Sequence, residues 1–130
     1  MRNLMKTNHT YPSNHESALL WFIKVLAGGL ILVFLVIHFI ANHLIAPGGL
    51  FTYSDVVAYY QNPAVLIMEG SFLTFVIVHA LLGVRSVVLD LNPSPTFIKI
   101  INIGLIGLGI LTIIYGIWLL LTVSAMGRIP

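Results

Sequence analysis

The chain has 130 residues, of which 58% are hydrophobic and only 8% are charged, and its mean hydropathy is +1.02. This composition cannot build the polar surface of a soluble globular domain, so it predicts an integral membrane protein. The net charge of +2 is small and scattered and does not indicate a nucleic-acid partner. The chain has no cysteine for a disulfide, a thiolate metal site or an iron–sulfur cluster, so histidine is the expected ligand for any metal.

Three apolar runs are long enough to cross a bilayer, at about residues 19–45, 64–91 and 97–124. No repeat, low-complexity segment or run of like charge divides the chain. We therefore expect a single membrane-anchor domain over residues 1–130, all-α, with three transmembrane helices.

Positive charges predict the orientation of these helices. Arg2, Lys6 and Lys24 precede the first span or lie early in it. Arg85 and Lys99 flank the second connection, whereas the first connection carries no positive charge. By the positive-inside rule the N-terminus is predicted to be cytoplasmic. The polar segment before the first span, with no small-residue cleavage site after that span, predicts a retained helix rather than a signal peptide.

The first span carries polar groups near both ends. Lys24 suits the inner interface, where its ammonium group can reach the headgroups, and the Gly28–Gly29 pair admits another helix or a flat cofactor. His38 lies roughly 27 Å along the helix, toward the outer side of the hydrocarbon. Asn42 follows it by four residues and shares its face. His43 is rotated by about 140° from His38 in an ideal α-helix, so the two cannot readily hold one metal.

Both connections contain turn residues. In the first connection they lie at residues 46–49 and 62–63, and residues 54–60 between them predict a short interfacial helix capped by Ser54. The second connection, residues 90–96, is tight and contains two prolines, so the second and third spans are predicted to be antiparallel neighbours. A stripe of small residues on the third span favours helix packing: Gly109, Thr112 and Gly116.

The polar residues of the second span lie at definite depths. His79 precedes Asp90 by eleven residues, which places its imidazole roughly 16 Å from that boundary, near mid-membrane. Spacing alone leaves a hydrogen bond to another helix and a metal equally open. Gly83, one turn further on, favours a metal because it leaves room for a porphyrin edge. Arg85 then suits haem propionates, with Asp90 as its ion-pair partner.

The other polar groups in the apolar runs admit two interpretations each. His38 is either a haem ligand or an interhelical hydrogen-bonding group; because its depth differs from that of His79 by roughly 10 Å, two ligands would serve two haems. Glu69, about 7 Å inside the outer end of its span, is either solvated at the interface or relays protons.

Two segments resemble the cytochrome b membrane anchor of succinate dehydrogenase and quinol:fumarate reductase. They are residues 37–43, Ile-His-Phe-Ile-Ala-Asn-His, and residues 79–83, His-Ala-Leu-Leu-Gly, and the match extends over roughly residues 29–92. The dihaem branch of that family is the most similar. By this resemblance His38 ligates the haem on the outer side, and His79 ligates the haem nearer the iron–sulfur subunit.

The spacing from His79 to Asp90 also resembles the single-haem branch. There the aspartate is followed by a quinone-binding tyrosine, whereas here Leu91 follows Asp90. The resemblance to the dihaem branch is likewise incomplete. Its anchors usually have five spans and two further ligating histidines in one polypeptide, and this chain has three predicted spans.

The resemblance therefore implies half of a haem-binding helix bundle, with one or two haems b shared with a second membrane anchor subunit. It also implies a flavoprotein subunit, an iron–sulfur subunit, and quinone and lipid of the cytoplasmic membrane as partners. This chain would perform no succinate chemistry itself. Its implied role is to pass electrons between the iron–sulfur subunit and quinone. Candidate quinone contacts then lie at both ends of the first span: Asn42 and His43 at the outer end, Ser17 and Lys24 at the inner end.

Two alternatives remain open on the sequence. One is a haem b anchor of another respiratory oxidoreductase, such as a formate dehydrogenase or a hydrogenase, which would be expected to have four spans and more ligating histidines. The other is a haem-free structural or transport subunit, in which His38 and His79 only form hydrogen bonds between helices.

Overall fold

The computed structural model describes residues 16–45 and 51–127. In these residues the chain forms α1 (Ala18–Phe39), α2 (Tyr53–Tyr59), α3 (Pro63–Asp90) and α4 (Pro95–Met126), and a π-helical turn, Ile40–Leu44, continues α1. The segments long and apolar enough to cross a membrane are Ala18–Leu44, Pro63–Asp90 and Pro95–Met126. The all-α prediction with three transmembrane helices is confirmed. The predictions that rest on Arg2, Lys6 and residues 46–49 lie outside the described residues.

Each transmembrane helix begins after a residue whose side chain accepts a hydrogen bond from the backbone of the first turn. These caps are Ser17 for α1, Asn62 for α3 and Ser94 for α4. Pro63 and Pro95 are the first residues of α3 and α4, where the missing N–H group costs no helical hydrogen bond. The polar residues between the apolar runs therefore set where the helices start.

The short helix α2 has a different cap from the predicted one. Thr52, not Ser54, caps it. The Thr52 hydroxyl accepts from the Asp55 N–H, and the Asp55 carboxylate accepts from the Thr52 N–H at 2.8 Å and from its hydroxyl at 2.6 Å. The hydrogen bond from the Thr52 hydroxyl, followed by the one from its N–H, lowers the pKa of Asp55. The acid three residues after Thr52 is the signal that distinguishes the true cap.

The helix α3 lies between α1 and α4 and packs against both. Near one end of the α1–α3 pair, Lys24 Nζ lies 2.6 Å from Ser86 Oγ. Near the other end, His38 Nδ1 lies 2.8 Å from Glu69 Oε1. Lys24 precedes His38 on α1, whereas its partner Ser86 comes after Glu69 on α3. The two helices are therefore antiparallel. We call these the Lys24 end and the Glu69 end of the helix pair.

Small residues of α4 meet large side chains of α3. Gly109 faces Leu81, and a Cβ atom at Gly109 would lie 2.7 Å from Leu81 Cδ1. About two turns further along α4, Gly116 faces Leu73, which precedes Leu81 on α3. This order confirms that α3 and α4 are antiparallel and that the two glycines are packing positions. Thr112, the third predicted member of the stripe, donates instead to a carbonyl of its own helix at 2.8 Å.

Few side chains are buried within the part of the chain that the structure describes. The buried side chains are those of Ala27, Glu69 and Ser124, which are 4%, 6% and 4% exposed. Most large apolar side chains on the three long helices point outward. Such surfaces are expected where helices face lipid or further membrane helices.

Candidate functional site

His79 lies on the face of α3 that packs against α1. Its Nδ1 is 3.0 Å from the Lys24 carbonyl oxygen. A carbonyl can only accept, so Nδ1 carries the proton and donates it. The ring also lies against the bare backbone of Gly28, where a Cβ atom would be 3.0 Å from His79 Cε1. The predicted close approach at the Gly28–Gly29 pair therefore occurs at Gly28, and the group that approaches is the imidazole.

The hydrogen bond at Nδ1 determines what the rest of the His79 ring can do. With the proton on Nδ1, the other nitrogen, Nε2, has a free lone pair. No hydrogen bond within the described residues reaches Nε2, and it is not among the buried atoms that lack a partner. It is therefore not fully enclosed by the described residues. A histidine held at one nitrogen by a backbone carbonyl, with the other nitrogen free, has the arrangement of a metal ligand.

Gly83 and Arg85 take different positions around α3. A Cβ atom at Gly83 would meet nothing within 4 Å, so open space lies beside this residue, one turn from His79. Arg85 points toward α4, where its Nε donates to Asn102 Oδ1 at 2.9 Å. Asp90 is exposed and forms no ion pair with any described residue. The predicted Arg85–Asp90 pair is therefore wrong, and Asn102 is a partner that the sequence analysis missed.

A cavity of about 500 Å³ lies between α1, α3 and α4 near the Lys24 end. Among the described residues that line it, Arg85 and Asn102 are polar, and the remainder are aliphatic residues and Gly109. Nη1 of Arg85 is buried without a hydrogen-bond partner within the described residues. The guanidinium group thus keeps donor capacity beside an otherwise apolar cavity.

His38, near the other end of α1, is held by a carboxylate. Its Nδ1 lies 2.8 Å and 3.0 Å from the two carboxylate oxygens of Glu69. Asn42 Nδ2 is 3.1 Å from the same Nδ1 but donates to the His38 carbonyl at 2.9 Å. An ionised carboxylate can only accept, so we assign the Nδ1 proton to the bond with Glu69. The prediction that Asn42 shares the face of His38 is confirmed. No described residue forms a hydrogen bond with Nε2 of His38.

Glu69 is buried, which excludes its interpretation as a solvated interfacial group. Tyr59 of α2 donates its hydroxyl hydrogen to Glu69 Oε1 at 3.1 Å. Burial, followed by the charge of Glu69 and this hydrogen bond, raises the pKa of Tyr59 to about 12, so its phenol remains a donor. Helix depth alone could not reveal this contact, because it depends on α2 folding back over the Glu69 end.

His43 does not join the His38 cluster. It is exposed, and its ring centroid lies 5.1 Å from that of Phe39. The backbone here is a π-helical turn, in which the Ile45 N–H donates to the Ile40 carbonyl at 3.0 Å. A π turn holds more residues than an α turn, so the 140° rotation predicted for an ideal α-helix does not apply.

Ser17 and Lys24, the other predicted quinone contacts, are engaged within the chain. Ser17 accepts the hydrogen bond that caps α1. Lys24 Nζ donates to Glu16 Oε2 at 2.8 Å and to Ser86 Oγ at 2.6 Å. The hydrogen bond from Lys24 is the largest effect that lowers the pKa of Glu16, and Ser86 adds to it. These contacts join the start of α1 to the end of α3.

The two histidine sites are well separated along the helix pair. His38 lies ten residues beyond Gly28 on α1, and Glu69 lies ten residues before His79 on α3. Ten residues of helix correspond to about 15 Å, more than the roughly 10 Å expected from the sequence. The two histidines therefore cannot ligate the same metal.

The fold defines the protein as a multi-pass membrane protein with antiparallel transmembrane helices. The family model for the succinate dehydrogenase/fumarate reductase transmembrane subunit matches residues 2–114. The chain belongs to this family, as the residues around His38 and His79 predicted, and the match includes α1, α2, α3 and much of α4. Comparisons with curated proteins and with solved structures gave no match.

Proposed function

We propose that this chain binds haem b through His79 and His38 and passes electrons between an iron–sulfur subunit and membrane quinone in a succinate:quinone oxidoreductase. One observation carries the proposal. Each histidine is held at Nδ1 by a group on the opposite helix, and no described residue forms a hydrogen bond with its Nε2. Haem iron takes an imidazole nitrogen as an axial ligand, and two such ligands give a closed iron suited to electron transfer.

The separation of the histidines supports two haem sites rather than one. His38 and His79 would then each share their haem with a ligating residue of another chain. The outward apolar surfaces of the long helices offer a place for that chain, a second membrane anchor subunit. Among the described residues no group of three or more His, Cys, Asp or Glu side chains is placed to hold a bare metal ion. Haem iron needs no such group, because the porphyrin supplies its other four ligands.

The Lys24 end is the end that we propose to face the cytoplasm and the iron–sulfur subunit. Lys24, Arg85 and Lys99, the positively charged residues of the described chain, all lie toward this end. The positive-inside rule assigns such an end to the cytoplasmic side. His79 then holds the haem nearer the iron–sulfur subunit, and the open space at Gly83 admits the porphyrin edge.

The cavity beside Arg85 is our proposed quinone position. Its aliphatic walls suit an isoprenoid chain, and Arg85 and Asn102 can donate hydrogen bonds to a quinone carbonyl. Because Arg85 points to α4 while His79 points to α1, this role is better supported than propionate binding. Ser17, Lys24 and Asn42 are weaker candidates because their polar groups are already bonded within the chain.

The haem proposal is tested on the purified complex by its haem-to-flavin ratio and by redox titration of the b-type absorbance band. Two haems per flavin, with His38→Ala and His79→Ala each removing a different component, are the expected result. His43→Ala is the matched control, because His43 is exposed and lies outside the His38 cluster. One haem per flavin, with an absorbance band that His38→Ala leaves unchanged, would show that only His79 is a haem ligand. A colourless pure complex would overturn the haem proposal altogether.

The quinone position is tested separately by steady-state kinetics with a soluble quinone. Arg85→Gln is expected to raise the KM for quinone about ten-fold or more, since a charge-assisted hydrogen bond contributes about 1.5–3 kcal/mol. Lys24→Gln serves as the comparison at the same end. A larger effect of Lys24→Gln than of Arg85→Gln would move the quinone to the Ser17 and Lys24 position. Family membership favours succinate or fumarate chemistry over an anchor of a formate dehydrogenase or hydrogenase.

A further inference from the structure

We propose that Glu69 sets the redox potential of the haem at His38 by accepting the hydrogen bond from Nδ1 of that histidine. The inference rests on the proposed haem ligation by His38. At the corresponding position, His79 has a neutral backbone carbonyl. The two haems therefore differ in potential through the partners of their histidine ligands, and Glu69 is a positioning residue for one of them.

The geometry directs the carboxylate at the imidazole. Both oxygens of Glu69 lie within hydrogen-bonding distance of His38 Nδ1, at 2.8 Å and 3.0 Å. The Glu69 side chain is 7% exposed, so little solvent screens it. The other ion pair among the described residues joins Lys24 to Glu16, at the far end of the helix pair. Within the described chain, no lysine or arginine forms an ion pair with Glu69.

A carboxylate at Nδ1 changes the ligand more than a carbonyl does. An anionic acceptor draws the Nδ1 proton toward itself and makes Nε2 a stronger electron donor to the iron. A stronger donor, together with a nearby negative charge, stabilises ferric iron relative to ferrous iron. The potential of the His38 haem is thereby lowered, and the Lys24 carbonyl gives the His79 haem no equivalent effect.

Tyr59 moderates this effect. Its hydroxyl donates to Glu69 Oε1, the oxygen nearest to His38 Nδ1. This hydrogen bond withdraws charge from the same oxygen and weakens it as an acceptor for the histidine. Loss of the Tyr59 hydroxyl and loss of the Glu69 charge should therefore shift the potential in opposite directions. A purely structural role for the two residues gives no reason for opposite signs.

The experiment is a redox titration of the intact complex carrying Glu69→Gln, Tyr59→Phe or Glu16→Gln. The measured quantity is the ferrous-to-ferric ratio of the His38-dependent component at a fixed ambient potential, with the His79-dependent component as internal reference. Glu69→Gln is expected to raise this ratio about ten-fold, which for a one-electron couple is a shift of about 59 mV. Tyr59→Phe is expected to lower it, and Glu16→Gln, which removes a carboxylate at the far end, to leave it unchanged.

The outcomes separate this inference from the proposed function. If the His38-dependent component is present and Glu69→Gln leaves its ratio unchanged, the inference is overturned while the haem ligation stands. If the wild-type complex has no His38-dependent component, both are overturned. Should Glu69→Gln fail to assemble, the sign of the Tyr59→Phe shift decides: a fall in the ratio supports the inference, and a rise or no change overturns it.

Discussion

The two histidines of this membrane subunit are held in different ways. At the Lys24 end, His79 is bonded to a backbone carbonyl and lies against a glycine, so no side chain can be exchanged to alter its partner. At the Glu69 end, His38 is bonded to a carboxylate that α2 helps to cover. The first site is therefore sensitive to packing, whereas the second is sensitive to charge. One antiparallel helix pair thus presents two chemically distinct imidazoles.

The largest expected effect is that of Gly28→Leu on the His79 site. A Cβ atom at residue 28 would already lie 3.0 Å from His79 Cε1, so a leucine must displace the ring from the Lys24 carbonyl. Overpacking of this kind costs about 1–3 kcal/mol. We expect loss of the His79-dependent haem band. Gly29→Leu is the matched control, because a Cβ atom there meets nothing within 4 Å; equal losses in both variants would contradict the packing explanation.

A smaller effect is expected where side chains join the helices at the Lys24 end. Lys24→Met removes the donor to Glu16 and Ser86, and we expect the free energy of unfolding to fall by about 1–2 kcal/mol. A double-mutant cycle with Glu16→Gln measures the coupling directly. Thermal denaturation of the four variants should show that Lys24→Met costs less once Glu16 is neutral. Additive losses would show that the pair contributes nothing.

The third expected effect is a loss of about 1 kcal/mol in the stability of α2 when its N-cap is removed. This loss is confined to the Glu69 end. Thr52→Ala removes the cap of the helix that carries Tyr59. Hydrogen exchange at residues 53–59 should accelerate, while exchange in α3 near Ser86 should not change. Ser54→Ala is the matched control because Ser54 does not cap the helix. Faster exchange in Ser54→Ala than in Thr52→Ala would show that Ser54 is the cap, as predicted from the sequence.

The smallest effects are expected from pH, and they differ between the ends. The pKa of Glu16 is lowered, so its contribution to stability is present above its usual pKa of 4.5 and is lost as the pH falls through the lowered value. The pKa of Tyr59 is raised from 10.0 to about 12, so its contribution is present below 10 and is lost as the pH rises toward 12. The melting temperature should therefore fall less steeply in acid for Glu16→Gln, and less steeply in alkali for Tyr59→Phe, than for the wild type. The same pH dependence in variant and wild type would contradict these assignments.

The sequence predicted the spans and the antiparallel arrangement of the second and third spans because hydropathy and turn composition are local properties. His38 and His79 were singled out by their depth in these spans and by the family resemblance. The sequence could not predict the partners of Glu69, since α2 must first fold back to bring Tyr59 to it.

The error at Arg85 has a similar cause. Asp90 is near in sequence but lies about 140° around the helix from Arg85, whereas Asn102 faces it from α4. Proximity along a helix is a poor guide to partners on a neighbouring helix.

The π-helical turn at Ile40–Leu44 makes the register beyond His38 susceptible to a single-residue deletion. Asn42 now occupies the position four residues after His38 and bonds its carbonyl. Deleting Ile40 would remove the extra residue of this turn and place His43 four residues after His38. Deletion of a single residue would therefore replace the Asn42 amide beside His38 with the His43 imidazole. The polar chemistry at this end of the helix pair can change through a change of helix length, without any substitution.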